Sequence, residues 1–123
     1  MFRRIDHIAL HVNDLEKSVK FYRDNFDFED YASSITPHGM KIVYLKLGDT
    51  VLEFSDFSEG EMQGFHFCLE TDNFDQAVAR LINNGVVMKE KPHNTAARIP
   101  AEQGWRRAVF VGVDGEKIEI RGK

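Results

Sequence analysis

The sequence has a single cysteine, no long apolar run and no surplus of basic residues across its 123 positions. Each scarcity excludes something. One cysteine cannot close an internal disulfide, so a packed core must hold the fold and a reducing compartment is expected. No stretch approaches the ~20 consecutive apolar residues that a membrane-spanning helix needs. The start, Met1-Phe2-Arg3-Arg4-Ile5, carries two arginines with no apolar segment behind them, so no signal peptide is expected and the cytoplasm is the default location. Sixteen Lys and Arg stand against 20 Asp and Glu, mixed along the chain, which argues against nucleic acid as the main partner. The length suits one domain with room for a core.

What is present is a pattern that occurs twice. Around Gly64-Phe65-His66-Phe67-Cys68-Leu69-Glu70 apolar residues alternate with a histidine, and Thr71-Asp72-Asn73 then reads as a helix start. The N-terminus repeats it: Ile5-Asp6-His7-Ile8-Ala9-Leu10-His11-Val12, then Asn13-Asp14. In the first unit the patterning predicts a strand over 4–12 and a helix over 14–26, with Leu15, Val19, Tyr22 and Phe26 inward and Asn13 or Asp14 as cap. Strands follow at 28–35, 40–47 and 51–56, with turns at Pro37-His38-Gly39 and Gly48-Asp49-Thr50. Residues 57–63 read as a linker. The second unit predicts a strand from Gly64, a helix over 73–84 with Phe74, Val78, Leu81 and Ile82 buried, and a stop at Asn84-Gly85. A strand over 86–91, an irregular stretch over 92–104, a strand over 105–113, the turn Asp114-Gly115 and a last strand over 116–121 complete it. The expected class is α+β: two βαβββ modules, about 4–57 and 64–121, in a single domain over 1–123, with curved sheets and helices on the outer faces.

Strand alternation sets His7, Glu53, His66 and Glu119 on the faces opposite the aliphatic ones. Each unit thus offers a histidine from its first strand and a glutamate from its last. Two neutral imidazoles and two carboxylates suit a divalent cation with room for water. Any one of these positions, taken alone, reads more simply as a hydrogen-bonded histidine or a solvated glutamate. Their recurrence at equivalent places in both units is what points to a metal.

The sequence resembles the vicinal oxygen chelate superfamily, which includes glyoxalase I. The resemblance rests on Asp6-His7-Ile8-Ala9-Leu10-His11-Val12, Ser18-Val19-Lys20-Phe21-Tyr22, Thr50-Val51-Leu52-Glu53-Phe54, Gly64-Phe65-His66-Phe67 and Asp114-Gly115-Glu116-Lys117-Ile118-Glu119-Ile120. It implies paired modules forming a cup-shaped metal site, a small-molecule substrate and a homodimer. It maps ligand roles onto His7, Glu53, His66 and Glu119, with Ni, Zn, Co, Mn or Fe as the ion. Four filled positions are similar to glyoxalase I, a metal-dependent lyase that removes a proton alpha to a carbonyl and stabilises the resulting enediolate. By that resemblance Glu119 is the leading base and Glu53 the second.

Extradiol dioxygenases, methylmalonyl-CoA epimerase (which commonly has glutamine where Glu53 stands) and metal-free bleomycin-resistance binders are the alternatives; extradiol dioxygenases and fosfomycin-modifying enzymes are known for a three-ligand His, His, Glu set. Two positions depart from glutathione-using glyoxalases. His11 stands where those enzymes tend to carry arginine, and Phe57 where they tend to carry asparagine. Arg98, Arg106 and Arg107 flank the long loop and are candidate anchors for an acidic substrate, a solvated loop or strand edge being the simpler reading of any one of them; Trp105 is a candidate pocket wall and equally a core or dimer contact. Cys68 reads as a small hydrophobe, and His38 and His93 as exposed.

Overall fold

A computed structural model describes residue 1 and residues 3–123 of the chain, which divide into two compact units, 1–60 and 61–123.

In the first unit, Asp14 turns the chain into a helix. Its backbone is extended and its side chain accepts from the Lys17 N–H at 3.1 Å, satisfying a donor that the first turn leaves unpaired. Of the two candidate caps, Asp14 therefore serves and Asn13 does not. Helix α1, Leu15–Phe26, ends where Asp27 adopts a left-handed conformation at φ 60, and this stop fixes where the next strand begins. The strands are β1 (Ile8–His11), β2 (Glu29–Ile35), β3 (Lys41–Leu47) and β4 (Thr50–Ser55), in the order β1-β4-β3-β2. β1 runs parallel to β4 and the other pairs are antiparallel. One sheet face buries Leu10, Leu45, Leu52 and Phe54, and α1 buries Leu15, Val19, Tyr22 and Phe26. The Tyr22 and Phe54 rings meet at 5.2 Å between centroids. β1 is shorter than the expected 4–12, because it is an edge strand paired with β4 only over Ile8–His11.

The second unit repeats the plan with β5 (His66–Thr71), α2 (Phe74–Asn83), β6 (Val87–Asn94), β7 (Arg106–Val111) and β8 (Lys117–Gly122). The order is β5-β8-β7-β6, with β5 parallel to β8. Asn73 caps α2 by accepting from the Gln76 N–H, and Gly85 at φ 75 ends it, as the sequence implied. Phe74, Val78 and Leu81 are buried against a sheet face carrying Ala108, Phe110, Ile118 and Ile120.

Two expectations fail here. Ile82 is 53% exposed, since it lies about 80° around the helix from Phe74, at the margin of the apolar stripe. β6 also continues through Pro92 to Asn94, where 92–104 was expected to be irregular. Proline lacks an N–H, but β6 is the edge strand, and an edge tolerates that loss. Among the described residues no helix is long and apolar enough to cross a membrane.

Candidate metal centre

Each unit assembles a histidine–glutamate pair by the same register. In the first, Ala9 on β1 lies beside Glu53 on β4, and His7 is two residues before Ala9, on the same face. His7 Nε2 stands 3.0 Å from Glu53 Oε2. In the second, Cys68 on β5 lies beside Glu119 on β8, and His66 is two residues before Cys68. His66 Nε2 stands 3.1 Å from Glu119 Oε2. Among the described residues no three His, Cys, Asp or Glu side chains gather to hold a metal, so the donors come as two pairs.

The surroundings of the two carboxylates differ. Glu53 is the cross-strand neighbour of Tyr44, whose phenol donates to it and accepts from Ser34. Burial pushes the Tyr44 phenol above its ordinary range, and the Glu53 charge adds to the shift. The Tyr44 ring meets His7 edge-on at 6.2 Å. Glu119 instead is held by arginine. Arg107 Nε donates to its Oε1 at 3.0 Å, and Arg121 Nε lies 4.0 Å from the same oxygen. Arg107 also reaches Glu90 at 3.0 Å.

The donor set fits a divalent ion, and His7 gives the clearest reason. Its Nδ1 is 2.9 Å from Asp6 Oδ2 while its Nε2 faces Glu53, so both ring nitrogens meet carboxylate oxygens. A neutral imidazole with its N–H toward Asp6 turns the Nε2 lone pair toward Glu53, where a cation would fit. Asp6 would then be the orienting carboxylate that metal-binding histidines commonly have. The spacing agrees as well. Ligands about 2.1 Å from an ion and at right angles to each other lie about 3 Å apart.

The structure places the remaining candidates in two groups. His11 meets Phe57 edge-on at 6.0 Å and approaches Glu59 at 3.4 Å, all in the first unit. Arg98 and Trp105 line a cavity of about 470 Å³ in the second unit, together with His66 and Glu119. Arg106 belongs to the helix side, bonded to Asp75 at 2.7 Å and lying over the Phe74 ring. Cys68 also lines that cavity, and desolvation, with the Glu119 charge second, pushes its thiol up to about 11. Sequence reasoning passed over Asp6, Tyr44, Glu102 and Arg121. For Tyr44 and Arg121 the signal was alternation: Tyr44 is opposite Glu53 across the β3–β4 hairpin, and Arg121 shares the Glu119 face of β8.

The chain is 34% identical to mouse methylmalonyl-CoA epimerase over 93 residues, which is 63% of this chain and 51% of that protein. The human epimerase is 31% identical over 91 residues, again 63% of this chain and 52% of that one. The chain thus spans about half the length of these relatives. Among solved structures, TnmS3, an antibiotic binding protein from Streptomyces, is 28% identical with a TM-score of 0.78, covering 98% of this chain and 96% of that one. The fosfomycin resistance protein FosX from Listeria monocytogenes, complexed with Mn(II) and sulfate, shares the fold at a TM-score of 0.74 and 19% identity, covering 100% of this chain and 94% of that one. A family model matches residues 4–120, and with two four-stranded βαβββ units and a histidine–glutamate pair in each, the chain belongs to the Glyoxalase/Bleomycin resistance protein/Dioxygenase superfamily, the vicinal oxygen chelate proteins.

Proposed function

We propose that the protein is a metal-dependent enzyme of the glyoxalase I type, a lyase or isomerase that removes a proton alpha to a carbonyl. The observation that carries this reading is the pair of matched contacts, His7–Glu53 at 3.0 Å and His66–Glu119 at 3.1 Å, built by the same strand register in both units. His7, Glu53, His66 and Glu119 are the residues that would hold the ion, Ni, Zn, Co, Mn or Fe. When bound, a divalent ion supplies a Lewis acid that stabilises negative charge developing on substrate oxygens.

The chain's own residues divide the remaining work. Asp6 holds the His7 ring so that Nε2 faces inward. Arg107 fixes one oxygen of Glu119 and leaves Oε2 toward His66. The base is one of the two carboxylates: Glu119 by family resemblance, with Glu53 the one that has no arginine contact. A half-buried Trp105 lines the cavity beside His66 and Glu119 and is a wall for the substrate. His11 and Phe57, packed together, supply a second surface for the small-molecule substrate. A homodimer is the assembly this reading expects.

The test is turnover of methylglyoxal with glutathione and other thiols, after loading with each metal in turn. Activity that His7→Ala and His66→Ala each remove supports the lyase; no turnover with any thiol and any metal overturns it. A second reading, epimerisation by the same proton abstraction, is favoured by the identity to methylmalonyl-CoA epimerases. Exchange of solvent deuterium into methylmalonyl-CoA, without turnover of any hemithioacetal, selects it.

A further inference from the structure

We infer that the cavity in the second unit is an oxyanion site, which binds a carboxylate or phosphate group of the ligand on Arg98 and Arg121 beside Trp105. This rests on the proton-abstraction reading only for what the anion is attached to. The site itself is argued from a buried carboxylate, Glu102.

Glu102 is 4% exposed, on the short 3-10 helix Pro100–Glu102, and two arginines converge on it. It accepts from the Arg98 backbone N–H at 2.9 Å, from Arg98 Nε at 2.9 and 3.0 Å, from Arg98 Nη2, and from Arg121 Nη2 at 3.3 Å. These bonds, those from Arg98 foremost, hold its carboxyl down to about 2, so the arrangement persists in acid. The Arg98 side chain is nevertheless 69% exposed. An exposed arginine ordinarily samples many rotamers, and fixing it costs entropy. Here that cost is met within the protein, and Nη1 is left over for a ligand.

Closing the loop accounts for the Arg98 backbone bond to Glu102. It does not account for Arg98 and Arg121, which both line the cavity, meeting one buried carboxylate. Arg121, itself 8% exposed, is held further by the Ala96 carbonyl at 3.2 Å and lies 5.6 Å over the Trp105 ring. Two guanidinium groups, Arg98 and Arg121, and two carboxylates, Glu70 and Glu119, line the cavity, with Glu102 bonded to both arginines. Glu70 is exposed, so water screens its charge more than that of Arg121 at 8% exposure. Guanidinium forks match carboxylate and phosphate geometry, and about 470 Å³ is within the size of a small-ligand pocket.

Trp105 is the single tryptophan of the chain, so its fluorescence reports on this cavity. Metal-free protein is titrated with sodium phosphate and, separately, sodium malonate, at constant ionic strength set with chloride. The expected result is a saturable change in Trp105 emission, with the midpoint rising at least about tenfold in Arg98→Met and about threefold in Arg98→Lys, which keeps the charge but not the fork. Tighter phosphate assigns a phosphate-bearing ligand and tighter malonate a carboxylate-bearing one. A response no different from chloride, or midpoints unchanged in both variants, overturns the site. Because no metal or turnover enters the titration, failed activity assays leave its outcome untouched.

Discussion

Replacing each site glutamate by glutamine separates two carboxylates that look alike in the sequence. In metal-free protein, Glu119→Gln removes the charge from a group 8% exposed, which Arg107 contacts at 3.0 Å and Arg121 approaches to 4.0 Å. The amide still accepts one hydrogen bond. Arg107 keeps the exposed Glu90, and Arg121 keeps Glu102 and the Ala96 carbonyl. The loss is therefore a charge-assisted bond reduced to a neutral one, about 1–2 kcal/mol, below the 3–5 kcal/mol expected when a fully buried pair is broken. Glu53→Gln differs in sign. Glu53 faces the His7 ring nitrogen at 3.0 Å, and a glutamine N–H can donate there. The expected change is within about 0.5 kcal/mol.

Urea unfolding, followed by both circular dichroism and Trp105 emission, measures the difference. With a slope of about 2 kcal/mol/M, the Glu119→Gln midpoint falls by about 0.5–1 M and that of Glu53→Gln stays in place. Equal losses in the two variants would refute the asymmetry assigned to arginine.

Other outcomes follow from the same contacts. Asp6→Asn weakens metal affinity by about tenfold, the lower end of the range for an orienting partner, because Asp6 is largely exposed; competition against a chromogenic chelator reads it. In Gly122→Ala the new Cβ would stand 2.0 Å from the Thr71 carbonyl oxygen, forcing apart β8 and β5, the strands that bring Glu119 to His66; a loss of about 1–3 kcal/mol in urea unfolding is expected. Cys68, with its thiol pushed up to about 11, is about one part in a thousand thiolate at pH 8, so alkylation is slow there and rises about tenfold per pH unit up to pH 10. Glu102 has a carboxyl lowered in the folded protein, so its contribution is present above the unfolded value near 4.5 and is lost only as pH falls toward about 2. The Glu102-dependent change in Trp105 emission is therefore expected below pH 4, and a Glu102→Gln variant lacks it.

The duplicated plan was legible because both units use the same strand alternation and the same helix stripe. His7, Glu53, His66 and Glu119 could be assigned to strand faces for the same reason: period two is a local property. What was not legible depends on contacts between elements. Ile82 fits a helical stripe, but only packing decides that the stripe ends before it. Pro92 reads as a break, yet β6 is an edge strand and absorbs it. Arg106 and Arg107 are adjacent and chemically identical, and the pleat sends one to Asp75 beside the helix and the other to Glu119. Glu102, in a stretch expected to be irregular, gives no periodic signal; its partner Arg98 was named for its charge alone.

The central claim of the proposed function is that both histidine–glutamate pairs are ligands for a divalent ion. Calorimetric titration of metal-free protein with zinc or nickel tests it most directly. The account predicts saturable binding, with affinity reduced at least about a hundredfold by His7→Ala and equally by His66→Ala, since losing a ligand exceeds the 10–100-fold effect of losing its orienting partner. Unchanged affinity in either variant would contradict it.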